Sequence, residues 1–155
     1  MTHDDYFREA GKIAEKALCL RDKCGAVIVA EGKIIGGGYN APPQDDIVHR
    51  KCHLDLVESS KPKSDRTCCM HAEWRAIIEA LPTGKIVGST LYFVRINQEG
   101  DLKESSGVPY CTVCSRLALD TGVASFGLWT KEGVKMFPTK EYNEISYEFH
   151  NLEVK

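Results

Sequence analysis

Two short motifs carry the residue types that bind transition metals and transfer protons. The first, His71-Ala72-Glu73, begins a segment in which apolar residues recur at helical spacing. The second, Cys111-Thr112-Val113-Cys114, is a C-x-x-C at the start of another predicted helix. At this spacing both thiolates can point at one metal ion, and the helix N-terminus favours their negative charge. One His and two Cys supply three ligands, whereas zinc takes four.

The fourth ligand distinguishes two kinds of zinc site. A structural site completes the shell with a protein group, and a catalytic site leaves that position to water. Glu73 lies two residues after His71, where its carboxylate is placed to take a proton from such a water molecule. The sequence therefore predicts a catalytic Zn²⁺ site with the ligands His71, Cys111 and Cys114 and the acid–base residue Glu73. A structural Cys/His zinc site is the alternative.

The segments around these motifs alternate between helical and extended patterns. Helical spacing predicts helices over residues 4–18, 71–81, 111–121 and 141–149. Runs rich in β-forming residues predict strands over residues 26–30, 33–39, 90–96, 123–130 and 134–137. Such alternation indicates a sheet covered by helices, and the opening hairpin makes the sheet mixed. We expect one domain over residues 1–155, an α/β fold with three α/β/α layers and a mixed five-stranded sheet.

Two polar segments are predicted as loops, residues 41–67 and residues 97–107. A loop as long as the first is usually functional or tied by a metal ion in a small domain. Three consecutive glycines, Gly36 to Gly38, allow another chain segment or a ligand to approach the second strand closely.

The composition restricts the class of partner and the compartment. The net charge is −2 and shows no excess of positive charge, which argues against nucleic acid as a partner. The N-terminal residues are polar and no apolar run is long enough to span a membrane, so we expect a cytoplasmic protein without a membrane partner. In a reducing compartment, the seven Cys residues are better interpreted as metal ligands or small buried residues than as disulfides.

H-x-E followed by P-C-x-x-C is the signature of zinc-dependent nucleobase deaminases. The second half here is Pro109-Tyr110-Cys111-Thr112-Val113-Cys114, in which Tyr110 is inserted after the proline. Over residues 7–129 the chain resembles the cytidine and deoxycytidylate deaminase superfamily. The sequence GYNAPP at residues 38–43 and the pair Arg66-Thr67 before the HAE motif look most like the deoxycytidylate deaminase branch.

The chain departs from that branch at two places. Members of the branch usually carry Asn where this chain has Arg75, two residues after Glu73. The connection between the strand at residues 90–96 and Pro109 is also longer than the one typical of the family. Loops of this kind influence which substrate is chosen.

The resemblance implies a cytidine-deaminase-like fold and a hydrolytic reaction. Zinc held by His71, Cys111 and Cys114 would lower the pKa of a water molecule. Glu73 would remove the water proton and then protonate the ring nitrogen and the leaving amine. The attacked carbon is the one that bears the amino group, C4 in cytosine, and ammonia departs. Conversion of dCMP to dUMP is the leading expectation.

The resemblance also implies roles for residues around the metal. Asn40 would hydrogen-bond the sugar or a nearby part of the substrate, although Asn is equally suited to a turn before Ala41. The backbone around Ala72 would help to hold the base, and Tyr110 would line the pocket. Family members usually form oligomers in which neighbouring subunits complete the pocket. We therefore expect a homo-oligomer that binds a small-molecule nucleoside or nucleotide.

Some deoxycytidylate deaminases hold a second, structural zinc, and a long polar loop gains stability from such a tie. The candidate ligands in this chain are His49, Cys52, His53, Cys68 and Cys69. The alternative places the histidines on the surface and the cysteines in the core as small apolar residues. Cys19 and Cys24, just before the first strand, are expected to pack in the core.

Four other side chains have two interpretations each. Trp74 either stacks on a base or packs in the core or at a subunit interface. Arg75, Lys103 and Arg116 either contact a phosphate or are solvated surface charges.

Two alternatives to a cytosine-type substrate and to catalysis stay open. The nearest is a deaminase of another aminated ring: guanine, adenine in transfer RNA, or a pterin or riboflavin precursor. The charge balance argues against transfer RNA. The second is a non-catalytic, zinc-stabilised binding subunit, against which Glu73 argues because a purely structural site has no need of it.

Overall fold

A computed structural model describes residues 1–52 and 67–153 of the chain, with side chains through Phe149. His53 and Arg66, which the sequence analysis singled out, lie outside these residues.

The sheet has five principal strands and one short additional strand. The principal strands are β1 (Lys23–Ala30), β2 (Lys33–Tyr39), β3 (Thr90–Ile96), β5 (Ser125–Thr130) and β6 (Gly133–Pro138), in the spatial order β2-β1-β3-β5-β6. The β3–β5 pair is parallel and the other pairs are antiparallel, so the predicted mixed sheet is confirmed. The addition, β4 (Leu102–Lys103), pairs with the end of β3 inside the segment that was predicted as a loop. Two residues are too few to produce a recognisable period-2 pattern.

Helices cover both faces of the sheet, which confirms the three layers. They are α1 (His3–Ala14), α2 (Ala72–Ala80), α3 (Thr112–Thr121) and α4 (Thr139–Glu153). On one face, Phe7 and Ala10 of α1 pack against residues of β1 and β3. On the other face, the buried core is formed by α2, α3 and α4 with the sheet, and it includes Ile77, Ala118 and Tyr142.

The edges of two helices differ from the prediction. The first helix begins after Thr2, whose side chain forms a reciprocal capping box with Asp5, and it ends at Ala14 rather than at residue 18. Leu18 instead donates its backbone N–H to the carbonyl of Asn40, which fixes the segment that enters β1. The last helix begins at Thr139, directly after β6, two residues earlier than predicted.

The three glycines of β2 allow α2 to lie against the sheet. A Cβ at Gly38 would overlap the carbonyl oxygen of Ala72, and one at Gly36 would overlap that of Ala76. The expected close approach of another segment is therefore confirmed, and that segment is α2. This close packing holds the N-terminus of α2, which contains the HAE motif, against the sheet.

No helix within residues 1–52 and 67–153 combines the length and the apolar character needed to cross a membrane.

Candidate metal centre and substrate cavity

The N-termini of two helices bring the predicted metal ligands together. His71 is the N-cap residue of α2, and Cys111 is the N-cap residue of α3. Cys114 follows in the first turn of α3, where its backbone N–H donates to the Cys111 sulfur at 3.4 Å. Because α2 and α3 lie on the same face of the sheet, residues 40 positions apart in sequence meet at one point.

The donor atoms of this cluster are of the kinds that bind zinc, and they lie within 4.8 Å of one another. His71 Nδ1 lies 3.0 Å from Cys114 Sγ and 3.5 Å from Cys111 Sγ, and the two sulfurs are 2.8 Å apart. Hydrogen bonding from Cys114 lowers the pKa of the Cys111 thiol to about 5, a shift that burial opposes. Burial raises the pKa of the Cys114 thiol above its ordinary value, so that Cys111 is the one of the pair shifted toward the thiolate. One imidazole and two cysteine sulfurs are a donor set that zinc prefers.

The orientation of the His71 ring is set by two neighbours. Its Nε2 lies 3.3 Å from Thr67 Oγ1, within hydrogen-bond distance, so that Nδ1 faces the two sulfurs. The ring of Trp74 stacks on the imidazole with 4.2 Å between centroids and 8° between planes. Such contacts to the remote side of a ligating His hold its ring in position.

Glu73 is buried beside the cluster, with 5% of its surface exposed. Burial, together with the negative charge of Cys111, raises the pKa of its carboxyl group to about 7. A carboxyl group with a pKa near neutrality can both accept and return a proton. Glu73 lines a cavity whose wall also includes the predicted metal ligands His71 and Cys111.

A cavity of about 380 Å³ opens from this cluster. Its wall contains Asn40, Ala72 and Tyr110, the three residues predicted to contact substrate, together with His71, Glu73 and Cys111. The side chain of Asn40 is engaged in the protein: Oδ1 accepts from the Cys24 N–H at 2.8 Å, and Nδ2 donates to the Asp22 carbonyl at 2.7 Å. Asn40 therefore links the end of β2 to the segment before β1 at the cavity wall.

Three charged residues of the cavity wall were not identified from the sequence, Arg21, Asp22 and Arg95, and of these only Arg95 belongs to a strand. It lies near the end of β3, lines the cavity, and donates from Nη2 to the hydroxyl of Tyr110. An arginine in the apolar run TLYFVRI was the available signal. A charged residue in an otherwise buried strand needs a partner or a function.

The three cations that were considered for a phosphate contact lie outside this cavity wall. Arg75 donates to the Asp45 carboxylate at 2.7 Å and to the Pro42 carbonyl at 3.0 Å. Arg116 is exposed and bonds the Thr112 carbonyl at 3.2 Å. Lys103 is paired with Asp22 at 3.6 Å and lines a smaller neighbouring cavity of about 60 Å³.

A thiol cluster formed by Cys19, Cys52, Cys68 and Cys69 borders the same cavity through Cys19 and Cys69. The ligand atoms of Cys19, Cys52 and Cys69 all lie within 4.8 Å of one another, and Cys68 Sγ is 3.5 Å from Cys52 Sγ. The expectation that Cys19 packs in the core is wrong, because α1 ends early and the following turns carry Cys19 to this cluster. His49 is exposed at the end of the short 3-10 helix Ile47–His49 and is not among these three residues.

The chain is similar to known proteins of one family. The family model of the cytidine and deoxycytidylate deaminase zinc-binding region matches residues 1–128. A deoxycytidylate deaminase of Mycobacterium phage D29 is 28% identical over 127 residues, which are 77% of this chain and 88% of that protein. The chain also matches the deoxycytidylate deaminases of Schizosaccharomyces pombe and Saccharomyces cerevisiae, but it spans only about a quarter of their length.

Two solved structures share the fold. The dCMP deaminase of cyanophage S-TIM5 in complex with dCMP and dUMP has a TM-score of 0.53 and 25% identity, over 77% of this chain and 74% of that one. The cytidine deaminase of Burkholderia pseudomallei has a TM-score of 0.61 and 21% identity, over 92% and 96% of the two chains. Together with the match of the family model to most of its length, these likenesses show that the chain belongs to the cytidine and deoxycytidylate deaminase family.

Proposed function

We propose that this protein is a zinc-dependent hydrolytic deaminase that converts a cytosine-type nucleotide or nucleoside to its uracil form, with dCMP as the leading substrate. The observation that carries the proposal is the position of Glu73. It is buried at the wall of a cavity that also exposes the His71 and Cys111 ligands. A structural zinc site has no need of a buried carboxylate of this kind.

Each step of the reaction has a residue to perform it. His71, Cys111 and Cys114 would hold the metal, which when bound supplies Lewis-acid activation of water. Glu73 takes a proton from the attacking water, whose oxygen adds to the ring carbon that bears the amino group. Glu73 passes this proton to the ring nitrogen. It then takes the second proton from the added hydroxyl and delivers it to the amine, so that a C=O bond forms, the C–N bond breaks and ammonia leaves. A pKa near 7 lets one carboxyl group both accept a proton and return it.

The proposed substrate rests on the relatives as well as on the cavity. The phage D29 relative is a deoxycytidylate deaminase, and the cyanophage structure contains dCMP and dUMP. The cavity of about 380 Å³ falls within the usual range for small-molecule sites. Asn40, Ala72 and Tyr110 at its wall would contact the sugar and the base.

We further propose that the thiol cluster holds a second, structural zinc. Cys19, Cys52 and Cys69 supply three sulfur donors, and Cys68 is placed to supply a fourth. A closed Cys₄ shell is typical of structural zinc sites. The ion would link the loop that contains Cys52 to Cys19 in the segment before β1.

A homo-oligomer remains part of the proposal. Ile78 and Leu81, on and next to α2, expose 54% and 45% of their surface. Apolar surface of this kind favours association with another copy of the chain. Light scattering coupled to size-exclusion chromatography measures the assembly.

Ammonia release from a substrate panel tests the proposed function. The panel contains cytidine, deoxycytidine, their monophosphates, cytosine, adenine, guanine and the nucleosides of the two purines. We expect release from a cytosine-type substrate, loss of that release after zinc is removed by a chelator, and recovery when zinc is restored. Ammonia release only from a purine substrate would contradict the proposed cytosine-type substrate and identify a purine deaminase. If the zinc-bound protein released ammonia from none of these substrates, the result would favour a non-catalytic subunit.

A further inference from the structure

Arg95 lies near the C-terminal end of β3, the central principal strand of the sheet. In the strand register it lies opposite Cys24 of β1 on one side and Lys103 of β4 on the other. Its side chain borders the main cavity, whose wall also includes His71 and Glu73. A ligand that enters the cavity to reach the metal centre therefore comes close to this guanidinium.

The contacts of the guanidinium within the protein are to neutral groups. Nη2 donates to the Tyr110 hydroxyl, and the guanidinium carbon lies 5.4 Å from the centre of the Tyr110 ring. A phenol is uncharged at pH 7. Burial raises the pKa of the neighbouring Cys24 thiol to about 12, so this group is uncharged as well. Within the described part of the chain, the Nε–H of Arg95 is buried without a hydrogen-bond partner.

One carboxylate near Arg95, that of Asp22, is shared with a second cation. Asp22 contributes to the electrostatic environment of Arg95, but its Oδ1 lies 3.6 Å from Lys103 Nζ. Among residues 1–52 and 67–153, Arg95 forms no salt bridge within 4.0 Å. A largely desolvated cation without its own anion is costly unless a ligand supplies the opposite charge.

We propose that Arg95 is a specificity-determining residue whose guanidinium binds the phosphate of a nucleoside 5′-monophosphate in the cavity. A guanidinium offers planar, paired N–H donors that match phosphate oxygens. Arg95 has a buried N–H donor without a partner, and among the described residues no carboxylate lies within 4.0 Å of its guanidinium, which borders the cavity where the substrate would react. This inference rests on the proposed function and narrows its substrate from nucleosides and nucleotides to nucleotides.

The test compares dCMP with deoxycytidine, which differ only in the phosphate. In Arg95→Met, kcat/KM for dCMP falls about 10- to 100-fold, the range expected for a lost hydrogen bond to a charged group, mainly through KM. The value for deoxycytidine changes little. Arg95→Lys keeps the charge without the paired donors and lies between wild type and Arg95→Met. Arg8→Met is the control, because Arg8 is an exposed residue of α1 and loses the same charged group.

The outcomes separate this inference from the proposed function. An equal loss for both substrates, or a loss in kcat alone, would overturn the phosphate contact. Failure of both Arg95 variants to fold would assign Arg95 a structural role and overturn it too. If the wild-type protein releases no ammonia, calorimetric binding of dCMP and deoxycytidine decides. The inference then requires that Arg95→Met weaken dCMP binding alone, and it fails if both ligands bind as they do to wild type.

Discussion

The indole ring of Trp74 lies parallel to the imidazole of His71, with 4.2 Å between their centres. Trp74 follows Glu73 directly, so residues 71–74 contain the proposed metal ligand, the proposed acid–base residue and the ring that stacks on the ligand. One face of the indole is therefore covered by His71, and Trp74 is not among the residues that line the cavity, whereas the sequence left open that it stacks on a base. This contact makes the imidazole less free to rotate away from the two sulfurs.

Removing the indole should weaken metal binding. In Trp74→Ala, we expect the affinity for zinc to fall about 10-fold, the lower end of the effects seen for groups that support metal ligands. Trp74→Phe keeps a ring on the imidazole and should retain most of the affinity. Competition with a chromophoric chelator measures both values. An unchanged affinity in Trp74→Ala would show that the stacking does not support the ligand.

Asn40 should contribute to stability as well as to substrate binding. In Asn40→Ala, the Cys24 N–H and the Asp22 carbonyl lose their partners, and we expect the free energy of unfolding to fall by about 1–3 kcal/mol. Asn97→Ala is the control, since Asn97 accepts one backbone hydrogen bond in an exposed turn. Urea denaturation measures both. Equal losses for the two variants would contradict the role assigned to Asn40.

The thiol cluster should bind its own zinc ion. In Cys52→Ser, we expect the zinc content to fall from two ions per chain to one, because Cys52 contacts both Cys19 and Cys68 in the cluster. Cys24→Ser removes a cysteine outside the cluster and should leave two. Elemental analysis by mass spectrometry gives the stoichiometry. A single zinc in the wild-type protein would refute the second site.

The site residues that could be predicted from the sequence are those that belong to short contiguous motifs. His71, Glu73, Cys111 and Cys114 were assigned because the geometry of a helix N-terminus follows from local sequence. The five principal strands and four helices followed from their hydrophobic periodicity. The short β4 did not, since two residues give no period.

The parts that were missed depend on contacts between distant segments. Cys19 enters the thiol cluster because of where α1 ends, which the helical spacing through Leu18 concealed. Arg95 becomes part of the cavity only when β3 is placed between β1 and β5, with Tyr110 brought back across the strand end. Spacing in one sequence contains no information about such pairings.

The role of Glu73 is the central claim, and Glu73→Gln tests it most directly. Glutamine has the same shape but cannot accept and return a proton, so turnover of dCMP should fall by about 10²- to 10⁴-fold, the contribution typical of general acid–base catalysis. Zinc content and the midpoint of thermal unfolding should not fall, because the side chain is not a metal ligand and its burial disfavours charge. Turnover within a few-fold of wild type, with zinc and fold intact, would contradict the mechanism.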